Sequence, residues 1–133
     1  MNQNECNEIA DFVVDNCDGL YSPSDHIQIA LYAKIHQDFG TLMVVRDKGD
    51  IVAVCRWNML TPTHAKILDF IVRSYFRHKF LAKNMFIKAK RAMPQLETIS
   101  FQRKKYAMRY RNYLLERWIK EKSHGRKLQT TNY

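Results

Sequence analysis

Four side chains able to carry positive charge, Arg77, His78, Lys79 and Lys83, fall within a span of seven residues directly behind the apolar run of Ile67, Leu68, Phe70, Ile71 and Val72. A short apolar run bounded by charge reads as a strand buried on both faces. From Lys79 the pattern changes. Leu81, Met85 and Ala89 recur every four residues, which predicts a helix with one face against that sheet. A strand, a tight basic turn and a helix start aim backbone N–H groups and the positive end of a helix dipole at one point, a recipe for holding phosphate. Cations beside those amides add charge-assisted hydrogen bonds even where glycines are absent. Asp69 lies inside the apolar run. An unpaired carboxylate would be costly there, so it is either paired with an arginine or raised in pKa as a base.

The same stretch resembles the GNAT superfamily of N-acyltransferases, whose central strand ends in a V-x-P-x-x-R/Q-x-x-G-x-G/A pattern that wraps the pyrophosphate of acetyl-CoA. Val72, Arg77, Leu81 and Ala82 stand at matching positions, while Ser74 replaces the usual proline and His78 and Phe80 replace glycines. The central glycine lets backbone approach phosphate closely, so Phe80 is also the residue that could block that approach. A second segment is similar to the family's N-x-x-A-I/V-x-F/L-Y-x-K/R-x-G-F helix. There Tyr113 matches the tyrosine and Trp118 the final aromatic, with Tyr106, Arg109 and Arg117 in place of the asparagine, alanine and glycine. The resemblance implies an acyl group moved from acetyl-CoA or another acyl-CoA to an amine acceptor. Val72, Arg77, His78, Lys79, Phe80, Leu81, Ala82 and Lys83 would surround the cofactor, and Tyr113 would protonate the leaving thiolate. Such a transfer also needs a base for the amine proton, for which Asp69 is the candidate.

Charge supports a second class of partner. Residues 1–65 hold four basic and nine acidic residues, a net −5, whereas residues 66–133 hold eighteen basic and four acidic, a net +14. A strongly basic half attracts polyanions, among them a phosphate-bearing cofactor or nucleic acid. Arg103, Lys104, Lys105 and Tyr106, followed by Arg109, Tyr110 and Arg111, interleave cations with aromatics as phosphate contacts and base stacking require. Without a compact recognition motif, such binding would be largely non-specific. The alternative function is therefore an inactive GNAT-like basic domain that binds nucleic acid or another polyanion.

The elements that position these residues follow in order. Asn4 is the expected cap of a first helix whose Ile9, Phe12, Val13 and Cys17 share a face, closed by Asp18-Gly19. Ser22, Pro23 and Asp25 open a second helix that Gly40 ends; Ile27, Leu31, Ile35 and Phe39 form its apolar row, leaving His26 and His36 for the surface. Runs at 41–46 and 51–57, joined by Asp47-Lys48-Gly49-Asp50, read as a hairpin, and residues 61–65 as a loop. Residues 97–102 read as a strand parallel to the central one. Residues 103–118 read as an amphipathic helix, and Ser123-His124-Gly125 marks a final turn. The family's usual strand ahead of the first helix is not visible.

These elements give an α/β fold of GNAT type in one domain, 1–133, with a helical part over 1–40 and a sheet and cofactor part over 41–130. The expected sheet is mixed and twisted, with about five or six strands, flanked by two N-terminal helices and one helix after each of the last two central strands. An apolar content of 46% excludes wholesale disorder. No stretch reaches the roughly 20 apolar residues that cross a bilayer, and the acidic start is unlike a signal peptide, so a cytoplasmic location is expected. Cys6, Cys17 and Cys55 lack the short spacing of a metal or redox motif, which points to reduced core thiols and no metal.

Overall fold

Residues 2–77, 81–102 and 109–121 are described by the structure, a computed structural model. The chain divides into two compact units, one of Met1–Asn58 with Leu68–Tyr75 and one of Met59–Ile67 with Phe76–Tyr133. One mixed sheet of five strands, in the order β1-β2-β3-β4-β5, supplies strands to both. The strands are β1 Leu42–Asp47, β2 Asp50–Thr61, β3 His64–Val72, β4 Thr98–Phe101 and β5 Arg111–Leu114.

In the first unit, α1 covers Gln3–Asn16 and is capped by Asn2, whose side chain accepts from the Glu5 amide at 2.9 Å. Asn4, the expected cap, is already helical; a cap must sit before the first turn so that its oxygen reaches the third residue on. Cys6, Ile9, Ala10, Phe12 and Val13 form the buried face. Asp18 and Gly19 then reverse the chain at φ 53° and 86°. The Ser22/Asp25 capping box forms on the 3-10 turn Pro23–Asp25 and leads into α2, His26–Asp38.

The orientation of α2 differs from the expected one. Ile29, Ala30, Ala33 and His36 are buried, whereas Ile27, Leu31, Ile35 and Phe39 face outward. Ala30 and Ala33 let the helix approach its neighbour closely, so the small side chains, not the large row, join the core with Ile9, Phe12 and Val13. His26 pairs with Asp11 at 2.7 Å. The hairpin is as expected: Lys48 and Gly49, at φ 51° and 87°, form a two-residue turn between Asp47 and Asp50. Its second strand runs on through Thr61 and β3 already begins at His64, so the expected loop at 61–65 shrinks to Pro62-Thr63.

Along β3, Ala65, Ile67 and Ile71 are buried, while the alternate residues are only partly so. The strand is therefore not equally buried on both faces. Cys6, Cys17 and Cys55 are free, buried thiols, and burial pushes the Cys55 thiol up to about 12.

In the second unit, β4 runs parallel to the start of β3, pairing Thr98, Ile99 and Ser100 with His64, Ala65 and Lys66. Between them in sequence lies α3, Leu81–Ala92, which buries Met85, Phe86 and Ala89. Lys90 closes this helix by donating to the Pro94 and Leu96 carbonyls at 2.6 and 2.7 Å. Residues 111–114 form β5, antiparallel to β4, and among the described residues after β4 only 115–121 are helical. This corrects the helix expected over 103–118. The exposed ladder of β4 needs partners, and pairing Ile99 with Tyr113 satisfies it where a helix would not. Residues 103–108 and the final turn at Ser123-His124-Gly125 lie outside the described residues.

Candidate functional site

Alternation along β2 sets Arg56 on the same face as Val54, and along β3 it sets Asp69 on the face of Ile71. The two meet. Arg56 Nε donates to Asp69 Oδ2 at 2.7 Å, and Nη2 lies 2.6 Å from the same oxygen. Tyr21 Oη donates to the other carboxylate oxygen, Oδ1, at 2.7 Å. Their side chains are only 15% and 11% exposed for Arg56 and Asp69, so each charge depends on the other. The arginine pair expected of a carboxylate in this strand is formed. The guanidinium also lies over the Tyr32 ring, 5.0 Å from its centroid.

His36 extends the cluster. Its Nε2 is 3.4 Å from Arg56 Nη1, and its Nδ1 is 2.8 Å from Thr41 Oγ1, which itself donates to the His36 carbonyl at 3.2 Å. Because Arg56 can only donate, Nε2 carries the lone pair and Nδ1 the proton. Burial and then the Arg56 charge lower the His36 pKa. Burial, and then the hydrogen bond and charge of Asp69, push the Tyr21 phenol up to about 12. Ile9, Val13, Ile29 and Leu42 wall a small recess, and Tyr21, Tyr32, Arg56 and Asp69 form its polar end.

This recess was only half legible. Asp69 is legible in the sequence as a site residue, whereas Arg56, Tyr21, Tyr32 and His36 are not. A signal existed: Arg56 is the first charge to interrupt the apolar β2 run, and a lone cation beside a strand with a lone carboxylate predicts a pair.

The basic turn has the expected order. Val72 ends β3, and the Arg73 amide continues its ladder by donating to the Val52 carbonyl at 2.9 Å. A 3-10 turn, Ser74–Phe76, leads to the exposed Arg77. Leu81, Ala82 and Lys83 open α3 and are half-buried, with no acidic residue in the first turn. His78, Lys79 and Phe80 lie outside the described residues. The donor set that is described suits a diphosphate: one exposed guanidinium, an early lysine and a helix start with no acidic residue in its first turn.

In the second unit, Tyr113 is half-buried in β5, its ring stacked on Phe101 with centroids 4.6 Å apart and planes 13° from parallel. Phe101 in turn meets Trp118 edge-on at 6.3 Å, and Trp118 meets Phe86 at 5.0 Å. His64 Nε2 lies 3.0 Å from the buried Ser100 Oγ. The structure thus sets Asp69 and Tyr113 in separate units.

Of the basic-aromatic stretch, Arg109 and Arg111 are exposed, while Arg103, Lys104, Lys105 and Tyr106 lie outside the described residues. The Tyr110 ring already carries Lys66, whose Nζ is 4.3 Å from its centroid. Among the described residues no three His, Cys, Asp or Glu side chains gather as metal ligands, and no helix is long and apolar enough to cross a membrane.

No family model matches the chain, and no curated protein matches it in sequence. Solved structures do match. An aminoglycoside 6′-N-acetyltransferase complexed with coenzyme A superposes with a TM-score of 0.57 at 11% identity, over 75% of this chain and 56% of the other. A GNAT-family acetyltransferase assigned as putative, from Desulfovibrio desulfuricans, gives 0.58 at 12% identity, over 78% and 72%. A GNAT-like decarboxylase in complex with isobutyryl-CoA gives 0.56 at 10%, over 76% and 62%. The chain has the GNAT fold. It spans little more than half the length of the aminoglycoside acetyltransferase it matches.

Proposed function

We propose that this chain is an N-acyltransferase that moves an acyl group from acetyl-CoA, or another acyl-CoA, to an amine. One observation carries the reading: within a GNAT fold, β3 ends at Val72, a basic turn holding Arg77 follows, and α3 opens at Leu81 with no acidic residue in its first turn. Arg77, Lys83 and the amides at the start of α3 bind the diphosphate, and His78, Lys79 and Phe80, between them in sequence, are the further proposed cofactor contacts. Acyl-CoA, when bound, supplies an activated thioester.

The rest is the chain's own work. In transfer, the amine nitrogen forms a bond to the acyl carbon, the carbon–sulfur bond breaks, one proton leaves nitrogen and one reaches sulfur. Tyr113 is the proposed donor of the proton to sulfur. Asp69 is the proposed acceptor of the amine proton. It already accepts from Tyr21 and Arg56, and the second lone pair of Oδ1 is the one an incoming ammonium would meet. A cytoplasmic location fits a protein with three free thiols.

A similar fold carries a decarboxylase, and the deciding assay must separate transfer from other reactions of the thioester. Free thiol release from acetyl-CoA, measured with and without a panel of primary amines, does so. Release that requires the amine, with acetylated amine found by mass spectrometry, is the expected result. Release independent of every amine would contradict it. The exposed Arg109 and Arg111 favour nucleic acid as the second reading, whereas the Lys66 contact already occupies the Tyr110 ring.

A further inference from the structure

Ile27, Leu31, Ile35 and Phe39 form one row at four-residue spacing along α2 and its C-cap, and they are 83%, 55%, 40% and 79% exposed. The other face of the same helix is buried through Ile29, Ala30 and Ala33. A helix apolar on both sides belongs between two covers, and the described residues provide one. Single exposed apolar residues are ordinary on any surface. Four in an unbroken row are not scatter.

We propose that this row is the contact face for a second copy of the chain, with two α2 helices crossing about a two-fold axis. Three features select that occupant. The first is geometry: residues at four-residue spacing make the i±4n ridge of a helix, and two such ridges interlock at about −50°. A ridge that packs against its own copy is what a two-fold interface requires, and the twelve steps from Ile27 to Phe39 give it a length of about 18 Å.

The second is area. Taking each large side chain at roughly 150–200 Å² and weighting by exposure, the row offers on the order of 400–500 Å² of apolar surface. A standard interface takes about 800 Å² from each partner, a little over half of it apolar. The row alone meets that apolar share.

The third is charge. The row itself is uncharged, and the adjacent row carries Lys34 and Asp38, one of each sign. Two copies therefore meet without net like charge, whereas a polyanion or a strongly charged peptide would meet charges of both signs and an apolar centre.

Sedimentation velocity of the full chain, over roughly 1 to 300 μM, tests this by mass action. The expected result is a concentration-dependent dimer. Leu31→Glu should raise its dissociation constant by about 100-fold, because central apolar anchors dominate such interfaces, with an unchanged circular dichroism spectrum since Leu31 is exposed. Gln37→Glu, off the row, should leave the dimer intact. If Leu31→Glu loses its fold, Leu31→Cys decides instead: a short bis-maleimide should couple two copies, since the three native thiols are buried. A monomer at every concentration, a dimer indifferent to Leu31→Glu, an uncoupled Leu31→Cys, or a monomer that binds zwitterionic lipid vesicles through this row would each overturn the proposal.

Discussion

Asp69 in the first unit sits between a phenol and a guanidinium, each donating at 2.7 Å, whereas Tyr113 in the second is held by a ring stack, 4.6 Å between centroids, on Phe101. The first arrangement is electrostatic and reciprocal: each partner supplies the counter-charge that offsets the other's loss of water. The second is dispersive, and most of it survives if the ring is kept and its oxygen removed. Two candidate catalytic residues thus carry very different structural burdens. A loss of activity at Asp69 cannot be interpreted without a stability measurement, whereas at Tyr113 a variant that keeps the ring keeps the stack.

Asp69→Ala gives the largest expected effect. It strands the Arg56 charge, 15% exposed, and should destabilise the fold by about 3–5 kcal/mol in urea denaturation. Adding Arg56→Met should recover much of that loss, because an apolar pair of similar volume needs no counter-charge. Equal stability of the single and double variants would show that Asp69 and Arg56 do not depend on one another.

Tyr113→Phe sharpens the contrast from the other side. The ring and its stack remain, so the stability loss should stay below that of Asp69→Ala, while turnover falls by about tenfold or more and acyl-CoA affinity holds. Unchanged turnover would return Tyr113 to a packing role.

The smallest effect concerns pH. His36 is buried and its pKa is held below the ordinary 6.5 by burial and then by Arg56, with Asp69 acting the other way. Below 6.5 the unfolded chain takes up a proton that the folded one refuses. The stability His36 contributes is present above 6.5 and is lost as pH falls through the folded value, by at most about 1.4 kcal/mol per pH unit. His36→Gln should flatten that acid limb. An identical limb in the variant would move the titration elsewhere.

Sequence showed most where structure is decided locally. Lys48-Gly49 fixed the hairpin because two left-handed residues leave little else to choose, and the β3 to α3 junction is readable because a short apolar run gives way there to apolar residues every four positions. It showed least where the decision is made at a distance. The large row of α2 was expected inside, but apolar period alone cannot say whether Ile27 and Leu31 or the smaller Ala30 and Ala33 meet the neighbour. Tyr110, Tyr113 and Leu114 have helical spacing, yet the open ladder of β4 recruits 111–114 as a strand. The Arg56–Asp69 pair likewise depends on how two strands bring one charge from each onto a shared face.

Calorimetric titration of the full chain with acetyl-CoA, beside Arg77→Ala, tests the central claim most directly. Saturable binding to the wild type is predicted, weakened about tenfold or more in the variant, since one charge-assisted hydrogen bond contributes roughly 1.5–3 kcal/mol. No heat and no thermal shift at millimolar acetyl-CoA would contradict it, and would leave a GNAT fold whose basic turn serves some partner other than an acyl-CoA.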